Sequence, residues 1–564
     1  MWHLASRSNP RLTLPSAGAS DLRLSASARR LQRTRVPASV QRFCYERGVR
    51  LTWQQNQARS DEDPAVPIHV TLPILPPTNR LSFYLAVAVL VVSHSQHRQL
   101  RQMRLRGASP AAVYPHRDPI LGIDWVRLVL RALADDTVLE WWHQLFTQSA
   151  ATTFWFNGMG SWMLMTCEPE NFRAILQGQF NSWPIEGLRK QTIASVIGSR
   201  SIFSTNGPEW AHARSMMRPT FVRNQIADLE CLDRHVDNFL ARLRPGGSKV
   251  DLQALFYMFT MDTSTDFMFG RSTEMLVRPS DEAVKFSTSF DYALQTSTSR
   301  GRIGWLAHLI PDKKFDASVA YCRAFIDRYV ASALREDKPK ERSYVFMHEL
   351  INSGATHQET SDQLLSMILG GRDTSASTLS SLCWILARRP DVVRAIRKEA
   401  LQLEGKRPTW EQLKDLKYLN NVLKEALRLW GPVTANMRTA CTDLVLPKGG
   451  GPDCQSPVFV PKGTQCRFST FSLHRRKDIY GDDAEEFRPE RWDSLRTSWE
   501  YLPFSGGPRI CIGQQFALTM MLYLLTRFFQ EFEAVEARDD RPMKLRVSSN
   551  IVLPNGCWVA LTPA

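Results

Sequence analysis

The sequence predicts a mainly α-helical protein with small β-sheets, an α+β fold built as one large domain. Three observations predict it. Apolar residues recur at helical spacing through most of the chain from Arg104 onward. Strand signals are confined to about 155–170, 432–470 and 543–562, the last holding Pro554-Asn-Gly556, a hairpin-turn candidate. Turn-forming stretches such as Pro245-Gly-Gly247 and Lys338-Pro-Lys340 mark loops within continuous text, not domain breaks. The 564 residues, 43% hydrophobic with 16 Trp, are ample for such a core. Ten cysteines without a CxxC pair suit reduced thiols rather than a disulfide scaffold.

In chain order, residues 1–65 come first. Residues 1–60 hold eleven Arg against Asp21 and Glu46, so nine of the fifteen net positive charges lie there. Nucleic acid is the reflex reading of a basic chain, but an Arg/Ser/Pro-rich arm carries the excess, and no nucleic-acid partner is expected. The arm reads as disordered or as a misassigned start. Its composition also suits a mitochondrial transit peptide, although Pro10, Pro15 and Pro37 interrupt any long helix. Residues 66–103 follow. Leu81 to Val92 is a charge-free apolar run flanked by Arg80 and by Arg98, Arg101, Arg104 and Arg106. As a helix it spans about 18 Å against a hydrocarbon core of about 30 Å. It reads as a membrane anchor with a basic flank; the bland alternative is a buried core helix.

Residues 104–564 read as one continuous domain. Trp210-x-x-x-Arg214 puts an indole and a guanidinium on one helix face. Thr356-x-x-Glu359 and Thr360-x-x-Gln363 both read as capping boxes. They open a helix of about thirty residues, or about 45 Å, carried by Leu364, Leu365, Ile368, Leu369, Leu379, Leu382 and Leu386 to a stop at Arg389-Pro390. In its middle stands Gly370-Gly-Arg-Asp-Thr-Ser375. Two glycines there cost about 1 kcal/mol each against Ala, so they need a reason. Glu425-Ala-Leu-Arg428 gives an i, i+3 ion pair on a helix ending at Gly431-Pro432, and Phe487-Arg-Pro-Glu-Arg-Trp492 follows. His348-Glu349 begins a zinc-type HExxH, but Asn352 replaces the second His.

The most informative stretch is Phe504-Ser-Gly-Gly-Pro-Arg-Ile-Cys-Ile-Gly513. Cys511 sits in a Gly/Pro loop just before an apolar helix predicted from Gln514 to about Phe532. A thiolate there lies near a helix N-terminus and beside Arg509, and both favour its charge. With no partner cysteine at finger spacing, zinc fits poorly. Gly507 and Gly513 would let the backbone turn sharply.

The pattern Phe504-x-x-Gly507-x-Arg509-x-Cys511-x-Gly513 resembles the haem-ligand loop of the cytochrome P-450 superfamily, and the likeness runs from about Arg104 to Leu561. The resemblance implies that fold, with a long central helix over the haem and an N-terminal membrane anchor. It implies non-covalent haem b with Cys511 as axial ligand, Phe504 packed beside the sulfur, and Trp210, Arg214, Arg438 and Arg509 on the propionates. Asp373 and Thr374 would deliver protons during oxygen activation, the two glycines opening the helix over the iron. Glu425, Arg428 and Arg491 would form a structural charge network. Leu369, Val433 and Thr434 are the candidate pocket residues.

Three stretches narrow the likeness to the fungal group that hydroxylates n-alkanes and fatty acids: Leu121-Gly-Ile-Asp124 with Pro169-Glu-Asn-Phe172 and Gln179-Phe-Asn181; Leu446-Pro-Lys-Gly-Gly-Gly451 with Val460-Pro-Lys-Gly463; and Gly506 to Ala517. The resemblance thus implies a monooxygenase taking O2, a long-chain fatty acid or alkane, and electrons from an NADPH-dependent flavoprotein reductase. It also implies an endoplasmic-reticulum membrane site with a cytosolic catalytic domain. Tailoring of a fungal secondary metabolite is the main alternative. A reductase-independent isomerase or lyase and a haem sensor are remote ones, since neither needs Asp373 and Thr374.

Overall fold

The computed structural model describes residues 50–53, 68–71, 97–221, 229–243, 249–303, 310–333 and 346–564. It divides into two compact units, Met1–Arg98 and Gln99–Ala564. In the first, strands Arg50–Trp53 and Ile68–Thr71 pair antiparallel. The predicted anchor at Leu81 to Val92, with most of residues 1–96, lies outside the described residues. Among those described, no helix is long and apolar enough to cross a membrane.

The second unit is helical, with short strands gathered into small sheets. The largest has five strands in the order Ala112–Val113, Thr153–Gly158, Ser161–Thr166, Gln465–Ser469, Ala435–Thr439. Its inner pairing, Ser161–Thr166 with Gln465–Ser469, is parallel and joins distant parts of the chain. A three-stranded antiparallel sheet unites Phe532–Ala537, Trp558–Pro563 and Val250–Asp251. Pro554-Asn-Gly556 does make a turn, the Gly556 N–H donating to Leu553 O at 3.1 Å, but not a hairpin. The strands it joins belong to different sheets: Ile551–Val552 pairs with Arg546–Val547 and Trp558–Pro563 pairs elsewhere. Asp251 diverts the chain by accepting the Cys557 N–H at 2.8 Å.

The central helix runs as predicted in length but not as one regular helix. His357–Ile368 is α-helical, Leu369–Asp373 is a π turn, and Thr374–Leu386 is α-helical again. The first capping box forms, Thr356 Oγ1 accepting from Glu359 N and Glu359 Oε2 from Thr356 N. The second does not. Thr360 is already inside the helix, its hydroxyl donating back to Thr356 O at 3.0 Å, while Gln363 bonds Arg200 and Ile202 on a neighbouring loop. Pro390 does more than follow a stop, since it opens the next helix, Pro390–Ala400, at its first turn. Leu364, Leu365, Ile368, Leu379, Leu382 and Leu386 are all fully buried, which explains how the helix holds across its irregular middle.

Candidate functional site

A cavity of about 300 Å³ opens where the loop before helix Gln514–Glu531 meets the π turn of the central helix. One wall carries Phe504, Cys511 and Gly513; another carries Gly370, Gly371 and Thr374. The π turn has a physical reason for its glycine, because a Cβ at Gly371 would meet Ser264 Oγ at 2.9 Å. Extra backbone width and a missing side chain together widen the cavity here.

The loop is seated by two devices. Gly507 has φ +66°, and a Cβ there would overlap Leu176 O at 1.9 Å, so only glycine fits against that neighbour. Gly513 is different: its φ of −89° suits any residue, and an added Cβ would rest 3.5 Å from the Phe221 ring. The second device is His474, which sequence reasoning missed. Its ring lies between Arg428 O and the Leu502 N–H, at 3.1 and 2.9 Å, just upstream of the loop. Burial pushes its pKa down to about 3, so the ring is neutral: one nitrogen donates to the carbonyl and the other accepts.

Cys511 is the one cysteine of the cavity wall and the most exposed cysteine among the described residues, Cys231 and Cys441 being half-buried. Burial raises its pKa, while the Gly513 N–H and the Arg214 guanidinium pull the other way. The Arg214 guanidinium thus acts on the sulfur. Burial pushes Cys167, Cys322 and Cys383 up to about 12, which makes them inert thiols.

Three guanidiniums and an indole line the same cavity. Arg509 donates to Thr205 O and Asn206 Oδ1 at 2.7 and 3.1 Å and lies 4.5 Å over the Trp210 ring. Arg214 donates to Ile510 O, and Arg438 to Asn436 Oδ1 and Met437 O. The Trp210 side chain is buried and lines the cavity beside Arg509 and Arg214. This donor set fits haem b: an exposed cavity thiol for the iron, a wall without Cβ at Gly371, and three cations beside an indole for two propionates.

Thr374 lines the cavity, its hydroxyl donating to Gly370 O at 2.6 Å. Asp373 does not line it. The carboxylate is buried and accepts from Arg372 at 2.9 Å, and Arg372 forks onto Asp291 at 2.5 and 3.1 Å. Asp291, on helix Asp281–Ile303, is half exposed. Burial raises the Asp373 pKa to about 6, Asp291 adding to the rise and Arg372 opposing it. Arg372 stood inside the predicted motif, but its partner lies 81 residues upstream, and no local pattern signals that contact.

Of the three pocket candidates, Val433 lines the cavity. Leu369, which opens the π turn, instead packs on the buried cluster that includes Phe286, Phe290 and Phe325. Thr434 is buried beside a small separate cleft, its carbonyl accepting the Phe471 N–H. Phe203, Phe267, Met268 and Met367 line the cavity and were not foreseen.

Glu425, Arg428 and Arg491 come together away from the cavity, all buried. Glu425 accepts from Arg428 at 2.8 and 2.9 Å, from Arg491 at 2.8 Å, from the Arg488 N–H and from the Trp492 indole. Arg428 spends its remaining donors on His474, Ala484 and Glu486 carbonyls. Every lone pair and proton is used, as a buried ion cluster requires.

Residues 138–556 match the family profile described as Cytochrome P450. The chain is 38% identical to the cytochrome P450 monooxygenase himC of Aspergillus japonicus over 494 residues, 84% of this chain and 88% of that protein. It is 33% identical to cytochrome P450 52A13 of Debaryomyces hansenii over 510 residues, 85% of this chain and 97% of that protein. With cytochrome P450 52E1 of Candida apicola the identity is 37% over 458 residues, 77% and 87% of the two chains. Profile, relatives and donor set agree, and the chain belongs to the cytochrome P450 family as a monooxygenase with thiolate-ligated haem b.

Proposed function

We propose that the chain hydroxylates long-chain fatty acids or n-alkanes at or near the chain end, with Cys511 as the haem ligand. The observation that carries the reading is the apolar cavity wall, where Phe203, Phe267, Met268, Met367 and Val433 accompany the accessible thiol. Haem supplies the oxygen activation, and the residues below bind, orient and move protons around it. Arg214 and the Gly513 N–H stabilise the thiolate. Trp210, Arg214, Arg438 and Arg509 hold the propionates, and Phe504 packs beside the sulfur.

Asp373 supplies the proton, and its carboxyl must turn from Arg372 to serve Thr374. Arg372 carries no proton itself: it positions Asp373 and ties it to Asp291, which meets solvent. Electrons come from an NADPH-dependent flavoprotein reductase, and the site of action is the endoplasmic-reticulum membrane. The test is product analysis of the membrane fraction with reductase and NADPH, fed alkanes and fatty acids. Terminal or near-terminal alcohols, absent with Cys511→Ala, support the reading. A folded enzyme with a thiolate-type CO spectrum that oxidises neither class sinks it, and the tailoring of a secondary metabolite then takes its place.

A further inference from the structure

Outside the cavity wall, a thiol, an imidazole and a carboxylate converge between two helices. Cys231 and His235 stand four residues apart on helix Glu230–Leu243 and so share a face. Asp266 lies in the last turn of helix Leu252–Phe269. The ligand atoms of the three all lie within 4.8 Å of one another, and among the described residues this is the one group of three that does so. His235 and Asp266 are each 2% exposed, while Cys231 is half-buried. None of the three lines the haem cavity.

One oxygen is oversubscribed. Asp266 Oδ2 accepts from Cys231 Sγ at 3.0 Å, from His235 Nε2 at 2.9 Å and from Arg234. Three donors exceed the two lone pairs of one carboxylate oxygen. Arg234 is the donor able to leave, its side chain being 53% exposed against 1% for Asp266. His235 is held by one nitrogen: its Nδ1 is buried without a hydrogen bond among the described residues, and Nε2 is the ring's anchor.

We propose that Cys231, His235 and Asp266 bind one zinc ion, with water as the fourth ligand. Thiolate, imidazole and carboxylate are a zinc set, whereas Mg2+ and Ca2+ take oxygen ligands. Zinc bonds of about 2.0–2.3 Å set tetrahedral ligands about 3.3–3.8 Å apart, so the two contacts to Asp266 Oδ2 need to open by only about half an ångström. Charge and protons balance. Before binding, the Asp266 carboxylate is offset by Arg234. On binding, the thiol gives its proton to solvent, Arg234 swings out, and the ion's two charges meet one thiolate and one carboxylate. The imidazole stays neutral, its proton on Nδ1. With no acceptor for that proton, the site lacks the outer support that tightens zinc, and the ion is exchangeable. The half-buried thiol gives it a way in.

The site adjoins the haem pocket through one residue. Asp266 precedes Phe267, whose ring lies 4.6 Å from that of Phe516 on helix Gln514–Glu531, and both rings line the cavity. An ion there ties the two helices together next to the cavity wall, whichever substrate is oxidised.

The experiment strips the untagged full-length holoenzyme with a chelator and dialyses it against Zn2+, with Mg2+ as the control. Metal analysis should find one zinc per chain, and zinc K-edge scattering should show one sulfur at about 2.3 Å with lighter ligands at about 2.0–2.2 Å. Cys231→Ser and His235→Gln should each weaken zinc by at least about tenfold, the least that loss of an outer partner costs. Arg234→Gln removes the competing cation and should tighten zinc, an effect that a cluster serving only as a structural ion pair would not show. Cys441→Ser, at the other half-buried thiol, should leave binding unchanged. Absent zinc binding overturns the proposal, and so does equal binding by wild type, Cys231→Ser and Arg234→Gln, each with a normal thiolate-type CO spectrum. Loss of zinc in Cys441→Ser instead assigns the ion to that thiol and also overturns it.

Discussion

At Asp373 the protein holds an acid in reserve. Its pKa of about 6 is set first by burial, with Asp291 pushing up and Arg372 pulling down. A proton donor must be protonated, so a step limited by Asp373 slows as pH rises through that value. Asp291→Asn removes the upward push and leaves Arg372 wholly to Asp373, and the pKa falls. The pH at which turnover declines should therefore move to lower pH, with more NADPH consumed per product. A pH–rate profile with a product-to-NADPH ratio checks this; an unmoved midpoint with normal haem content sinks it. At Glu425 the stakes are structural. Glu425→Ala strands two buried guanidiniums and should destabilise the fold by about 3–5 kcal/mol. Thermal unfolding of the holoprotein reads the loss, and a change below about 1 kcal/mol would contradict the buried network.

Among the elements, the ligand loop and the central helix show what sequence can and cannot convey. The Cys511 loop was legible because its chemistry is local: thiol, glycines and cation lie within ten residues. Arg214, which also acts on the sulfur, was not legible there, because it arrives from a helix about 300 residues earlier. The capping box at Thr356 was legible for the same reason. Leu369 adjoins the glycine pair in sequence, but adjacency does not tell which side of a helix a residue packs on. The loop also makes a clean prediction. Gly507→Ala meets both a positive φ and a backbone oxygen at 1.9 Å, so the loop cannot seat. The variant should retain much less haem per chain than wild type, read from the Soret-to-protein absorbance ratio. Gly513→Ala, with an ordinary φ, should lose less; equal losses would refute the distinction.

Over the whole molecule, the mainly helical fold class could be read from periodicity and motif order, and the family profile matches residues 138–556. Contacts between distant segments could not. Arg372 with Asp291 and His474 between Arg428 and Leu502 each depend on which strands and helices become neighbours, which no window of residues encodes. The knot at Glu425 has a consequence of another kind. It ties helix Lys417–Trp430 to segments 474–492, and through His474 to Leu502 at the start of the ligand loop, the one point where it meets the cavity wall. Frame and wall can thus drift independently. A library that varies Phe203, Phe267, Met268 and Met367 while sparing the knot would search new substrates on a scaffold whose iron site stays assembled, and descendants of one ancestor could diverge in diet without relearning how to breathe oxygen.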